Sequence, residues 1–311
     1  MFAVEEKHLF RLCEVNRYLL PADEMIFFGI RGCLPVLDDD HSFKKSHQAE
    51  VVPVDYTHPR CTLGQWMPGE GFALFPGSTV PHRSHVESAL RSRSGRRSGE
   101  GANQLMTGLF KNYKKGRHPR RKTRTQHDAF RNDGNLPIRR TADDLDYDND
   151  DRVEYMTPND NLHAAWCPSV DHPKFASAGC QVVVGFPHCP EGSNAPASGP
   201  WKVFQENAYG RDQESFSYIL MTGRAIRQIG LGDDRLFNAR LRFGSRGPLV
   251  TKVQKELQKL GHYEGQIDDD FGKRTLFAVL DFQTEVFGDE ADDGIVGPMT
   301  ASALGLKWPE V

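Results

Sequence analysis

The chain has 311 residues, with 39 Lys and Arg against 42 Asp and Glu for a formal net charge of -3, and a mean hydropathy of -0.57. This length exceeds one small core and implies two domains, the polar average implies much loop and surface, and the mild acidity argues against a nucleic-acid enzyme. No apolar run is long enough to span a bilayer, and Glu5 and Glu6 come too early for a secretory leader, so a substrate outside the cytoplasm would be reached by lysis or specialised secretion.

Residues 5–20 place Leu9, Phe10, Leu12, Cys13, Val15, Leu19 and Leu20 at helical spacing ahead of Pro21, which predicts one amphipathic helix. Residues 25–30 read as a strand and 38–47 as a solvated loop. Residues 51–55, 62–67 and 71–75, each bounded by Pro or Gly, predict further short strands and a β-rich sandwich or barrel, the sandwich-like form being the expectation. Between Arg91 and Arg124, twelve Lys and Arg residues face Glu100 alone, which reads as a basic insertion that covers a groove or attracts polyanions.

Asp146, Asp148, Asp150 and Glu154 stand in a register that can fold oxygen ligands around Ca²⁺. Asp151 occupies the position where an EF-hand needs Gly, so an ion-free acidic turn competes with a structural Ca²⁺ site. No cofactor is otherwise required. The six cysteines form no CxxC pair, and the spacing of His172, His188 and Cys189 matches no zinc motif.

Residues 161–185, NLHAAWCPSVDHPKFASAGCQVVVG, hold the candidate chemistry. Cys180 follows Ala178 and Gly179 and precedes the strand-like run 182–184, which reads as a thiol presented at a turn, with the amides of Gly179 and Cys180 free to face an oxyanion. His163, on a neighbouring strand, would be the base that makes the thiolate. Thirteen residues after His163 come Ser177, Ala178, Gly179 and Cys180. This resembles the L,D-transpeptidase signature, a histidine followed at a similar distance by Ser/Thr-His-Gly-Cys. Ala178 replaces the family's second histidine, and Gln181 stands where the family has an aliphatic residue. The resemblance implies Cys180 as nucleophile and His163 as base, with Ser177 and Gly179 in the catalytic turn; Ser177 and Asn161 are placed to orient His163 or the substrate, and Asn161 and Gln181 are the expected substrate-binding residues. The competing reading is a buried strand cysteine unrelated to His163.

Residues 201–206 and 216–222 read as strands closing the first domain. In the C-terminal part, Val250, Val253, Leu257 and Leu260 share one helical face, Pro248 suits a first turn and Gly261 a C′ position. Thr275, Ala278, Val279, Phe282 and Gln283 mark a second helix and residues 298–304 a third. Asp/Gly turns around 270–272 and 293–297 give two related half-units. This pattern closely resembles the type 1 peptidoglycan-binding domain, which implies a small three-helix bundle that docks on cell-wall glycopeptide and has no catalytic residues.

The expected organisation is α+β: a sandwich-like L,D-transpeptidase-like catalytic domain over 1–225 with a basic insertion at about 91–124, a linker at 226–240 and a peptidoglycan-binding domain over 241–311. The expected function is a peptidoglycan-modifying cysteine enzyme acting on stem-peptide amides through a thioacyl intermediate, as hydrolase or transpeptidase. Its setting would be that of a bacteriolytic effector toxin or lysis protein, made in the cytoplasm and acting at the wall. Expected partners are bacterial peptidoglycan and, in the effector setting, an immunity protein or secretion machinery, with no nucleic acid. A metal-dependent wall hydrolase and a non-catalytic wall-binding protein are the alternatives.

Overall fold

The computed structural model describes residues 1–36, 41–91, 102–141, 145, 151–232, 235–288 and 291–311. Strand β1 (Phe2–Glu5) leads into helix α1 (Glu6–Val15), where the Glu5 amide and the His8 imidazole form half of a reciprocal capping box, Glu5 N–H donating to His8 Nδ1 at 3.0 Å. The helix stops well before Pro21. Asn16 Nδ2 turns back to Leu12 O at 2.8 Å and Arg17 takes a positive φ of 55°, ending the run its apolar spacing would have continued.

Strands β2 (Ile26–Arg31), β3 (Cys33–Val36), β4 (Ser46–Val51), β5 (Cys61–Met67) and β6 (Gly71–Ser78) follow, then helix α2 (Arg83–Arg91). The expected strand at 51–55 is corrected: residues 52–55 are not strand, and β4 ends at Val51 after starting inside the loop expected at 38–47. Next come β7 (Ala102–Leu105), β8 (Gly108–His118), β9 (His127–Arg131), β10 (Leu136–Thr141), β11 (Arg152–Met156), β12 (Leu162–Ala164) and β13 (Gln181–Val183). Helix α3 (Gly199–Tyr209), strand β14 (Ser215–Thr222) and helix α4 (Gly223–Gly230) complete this part.

Eight strands close into a barrel in the order β12-β13-β6-β5-β2-β14-β8-β9, shut by Leu162 opposite Phe130. The expected sandwich is therefore corrected: closure removes the free edges that two stacked sheets would leave. Phe27, Phe75, Phe130 and Phe216 share one core with Trp201 and Phe204 of α3. Phe27 and Phe216 stack at 4.3 Å. Ile26, Phe28, Phe72 and Ile219 point the other way, into a second core with Leu9 and Leu12 of α1 and Ile226 and Ile229 of α4. Strand β2 is buried on both faces, which is why residues 25–30 are a continuous apolar run.

Two other expectations are corrected here. The basic stretch is no insertion over its second half, because residues 108–118 are barrel strand β8, paired with β14 and β9. Phe110 and Tyr113 point inward while Lys111, Lys114 and Arg117 are exposed, so the charge is the wet face of a strand. Its cations are also partly answered, Arg117 by Asp128, Arg120 by Asp133 and Lys122 by Glu191. Residues 92–101 lie outside the described residues. The strand expected at 201–206 is helix α3, opened by Gly199 and Pro200, whose side chains Trp201, Phe204 and Ala208 are buried at helical spacing.

Helices α5 (Pro248–Lys259), α6 (Lys273–Phe287) and α7 (Pro298–Ala303) form the bundle, and Gly261 takes a positive φ of 87° after α5. The bundle is tied back to the barrel side. Arg240 N–H donates to Val15 O (2.8 Å), Arg246 N–H to Arg17 O (3.0 Å) and Leu109 N–H to Phe243 O (3.0 Å), and Met106 packs in the bundle core. Helix α4 occupies the start of the expected linker. Among the described residues no helix is long and apolar enough to cross a membrane.

Candidate functional site

Strands β12 and β13 run parallel with His163 opposite Val182. Side chains alternate along each strand, so Leu162, Ala164 and Val183 enter the barrel core, while Cys180, Val182 and Val184 pack outside it with Phe175. His163 and Cys180 therefore leave adjacent strands on the same face.

His163 is buried, and its Nδ1 pairs with Ala164 O at 2.8 Å. A carbonyl only accepts, so the proton sits on Nδ1 and Nε2 keeps its lone pair, the tautomer a general base needs. His118 stacks on His163 with centroids 4.5 Å apart and planes within 10°, and His127 stands edge-on at 5.4 Å. Burial, then mutual repulsion with those rings, holds the His163 pKa well below the ordinary imidazole value, and burial depresses His118 to about 4. His127 donates from Nδ1 to Thr125 O at 2.8 Å, and its buried Nε2 has no partner.

Cys180 is 7% exposed, which corrects the expectation of a presented thiol. Its Sγ lies 3.8 Å from Asn159 O, and no hydrogen bond joins it to His163. Burial, with the neighbouring Asp160 charge adding to it, pushes the thiol pKa up to about 12, against the pull of the Asn161 and Cys180 amides. The resting pair is a neutral thiol and a neutral imidazole.

The turn before Cys180 explains the burial. Gly179 has φ 145°, and a Cβ there would meet Asp160 Oδ1 at 2.5 Å and Asn103 Cβ at 2.7 Å, so glycine is required by conformation and by close approach. Its amide donates to Ser177 Oγ at 3.2 Å and so is not the free oxyanion donor expected; of the two, only the Cys180 amide is left. Ser177 Oγ also lies 3.0 Å from Val80 O and 2.8 Å from Cys180 O, which locks the turn.

Asn161 and Gln181 do other work than the sequence suggested. Asn161 Nδ2 donates to His118 Nδ1 at 3.0 Å and to Asn159 O at 2.9 Å, so Asn161 orients His118, which in turn covers His163. Gln181 alternates inward, is fully buried, donates to Gly179 O at 3.1 Å and accepts from Tyr218 OH at 2.8 Å. It braces the turn and is not open to substrate.

Asp160 was not singled out in the sequence. It is 2% exposed, its Oδ1 accepts from Asn103 Nδ2 at 3.3 Å, and its Oδ2 has no partner. Burial raises its pKa to about 7 against the pull of Asn103 and Arg140. The only hint available was its place in the Asn/Asp run three residues before His163. Beside the imidazole cluster, a groove of about 610 Å³ is lined by Arg124, Thr125, Trp166, Phe186 and Pro196. Trp166 meets His127 edge-on at 5.4 Å, which joins groove and cluster.

Of the proposed Ca²⁺ ligands, Asp146, Asp148 and Asp150 lie outside the described residues. Glu154 lies on β11 and accepts from Arg140 Nε at 2.8 Å, with Arg152 also paired to it. Both bonds hold its carboxyl below the usual carboxylate range despite burial. Among the described residues no three His, Cys, Asp or Glu side chains are grouped to hold a metal.

The bundle carries its own buried polar frame. Gln254 Nε2 lies 2.8 Å from Asp268 Oδ1, 3.1 Å from Asp270 O and 3.0 Å from Thr275 Oγ1, while Gln254 Oε1 accepts from Asp268 N–H at 3.1 Å. The first Asp/Gly turn is thereby pinned to α5 and α6. Residues 246–304 match a family model described as "Putative peptidoglycan binding domain". This peptidoglycan-binding module also lies in the region of a curated relative's match: the spore cortex-lytic enzyme of Bacillus subtilis (strain 168) is 41% identical over 64 residues, 21% of this chain and 21% of the relative. The chain thus spans about a fifth of that relative's length, and the likeness does not reach the Cys180 site. No solved structure matches.

Proposed function

We propose that the protein is a peptidoglycan-modifying cysteine enzyme, L,D-transpeptidase-like in its Cys/His chemistry and acting on stem-peptide amides. The observation that carries this reading is the emergence of Cys180 and His163 from one face of adjacent strands, with the His163 lone pair on Nε2, in a chain that bears a peptidoglycan-binding module. As Cys180 Sγ attacks the amide carbonyl, the thiol proton passes to His163 Nε2. The alkoxide, facing the Cys180 amide, collapses, the C–N bond breaks, and His163 returns the proton to the leaving amine. Water or a second stem's amine then resolves the thioester and restores the thiol.

The resting geometry needs an adjustment, because thiol and imidazole are not hydrogen-bonded and both neutral forms are favoured by burial. Substrate closing over the site supplies it, since apo catalytic bonds tighten on binding. Burial of Cys180 makes the site dry, which suits transfer to an amine. Purified protein incubated with sacculi, followed by mass analysis of released stem peptides, tests the reading. Shortened stems indicate hydrolysis and new cross-linked dimers indicate transfer; unchanged stems, or equal change with Cys180→Ala, would overturn it.

A further inference from the structure

A cleft of about 670 Å³ between α1, α4 and the start of the bundle is lined by Arg224, Arg235, Arg240 and Arg242. Arg242 is only 8% exposed. Its Nη1 donates to Thr107 Oγ1 at 2.9 Å, and its Nε is buried with no partner. The nearby Asp293 carboxylate is already committed, its Oδ1 accepting from Gln283 Nε2 at 2.9 Å and from Ile295 N–H at 2.8 Å. Arg224, Arg235 and Arg240 are exposed, and none forms an ion pair with a described residue. Asp233 and Asp234 lie outside the described residues.

A guanidinium taken out of water without a counter-charge is costly, and a second guanidinium beside it raises the cost. Burial presses hardest on Arg242 and the Arg240 charge adds to it, while Tyr18 and, least of all, Asp293 act the other way without offsetting burial. An anion entering the cleft would relieve that cost. Guanidinium groups suit phosphate, whose oxygens accept paired, charge-assisted N–H bonds. Leu231 and Leu236 line the same cleft at 64% and 67% exposure, so an apolar body attached to the anion also finds a wall.

We propose that this cleft binds a phosphate-bearing ligand, with Arg242 at the floor and Arg224 and Arg240 at the rim, at a site separate from Cys180. The phosphate is either free in solution or the headgroup of an anionic lipid. Full-length protein is titrated with inorganic pyrophosphate by calorimetry, and is separately sedimented with vesicles of phosphatidylglycerol in phosphatidylcholine. Pyrophosphate binding without vesicle binding assigns a free phosphate, vesicle binding alone assigns a lipid, and binding of both assigns the phosphate group itself. The double variant Arg224→Gln/Arg240→Gln, exposed and so safe for folding, is expected to weaken whichever binding occurs by about tenfold or more, as loss of hydrogen bonds to a charged group does. Arg227→Gln, on α4 but off the cleft, is expected to change nothing. Absence of saturable binding to either probe, an unchanged double variant, or equal weakening in Arg227→Gln overturns the proposal.

Discussion

Gln254 and Gln283 hold equivalent places in the two halves of the bundle. Gln283 Nε2 lies 2.9 Å from Asp293 Oδ1, 3.1 Å from Ile295 O and 3.1 Å from Thr300 Oγ1, repeating the Gln254 Nε2 pattern, and its Oε1 accepts at 2.9 Å from Gly294 N–H, one residue past the aspartate, where Gln254 takes the amide of Asp268 itself. Each carboxamide fastens an Asp-bearing turn to a helix from inside the core. Replacing either by Leu would leave the turn amide, Asp268 N–H or Gly294 N–H, without its acceptor, a loss of about 1–3 kcal/mol, while the exposed Asp268 and Asp293 carboxylates keep the Asp270 and Ile295 amides. Gln254→Leu and Gln283→Leu are each expected to lower the melting temperature and weaken sedimentation with sacculi. A variant with parental melting would show that the frame is not what holds the turns.

Asp160 sets the ease with which Cys180 ionises. Its charge, after burial, raises the thiol pKa, and Asp160 itself titrates at about 7. Below that pH the carboxyl is neutral and Asp160→Asn changes little; above it the substitution removes a negative neighbour and lowers the thiol pKa. Labelling of Cys180 by iodoacetamide is therefore expected to be slow in the parent at neutral pH and faster in Asp160→Asn, with the gap opening only above about pH 7. Faster labelling of the variant at pH 5 as well would place the effect in access to the thiol and not in charge.

Much of this architecture was legible in the sequence, and what was missed has common physical causes. The helices of the bundle showed because their period, their Pro starts and their Gly stops are local signals. The run at 182–184 showed as a strand for the same reason. The imidazole cluster did not, because His118 and His127 meet across the β8–β9 pair and His163, on β12, reaches them only when the barrel closes against β9. The turn at Gly179 looked open because Ala178 and Gly179 are small. The missing side chain of Gly179 instead admits Asp160 and Asn103 and so closes the turn. Lys111, Lys114 and Arg117 concealed a strand whose inward residues, Phe110 and Tyr113, stand three apart, because an irregularity at Asn112 (φ 68°) breaks the alternation that marks a strand in sequence.

The same cluster predicts acid sensitivity. His118 has a folded pKa of about 4, below its ordinary value of 6.5, so between those limits the unfolded chain binds more protons at this site. Its stabilising contribution is full above pH 6.5 and is lost as pH falls through about 4. His118→Phe keeps an aromatic face against His163 and removes the titration. Urea midpoints measured from pH 7 to pH 4 are expected to fall less steeply in this variant than in the parent. Parallel slopes would mean that folded His118 takes up its proton near the ordinary pKa, so that its burial does not oppose the charge.

Removal of the bundle separates tethering from folding. A chain ended after Ser245 retains the Leu109–Phe243 backbone bond and the Ser245 Oγ bond to Asn16 O at 2.6 Å, whereas one ended after Arg240 loses both. It also uncovers Met106, which packs in the bundle core, so some loss of stability is expected from either truncation, and more from the shorter. The chain ended after Ser245 is expected to fold, to act on small soluble stem peptides at near the parental rate, and to act poorly on intact sacculi. Only the latter reaction profits from local concentration at the wall. Equal loss on both substrates in a chain shown to be folded would make the bundle part of the catalytic unit and not a tether.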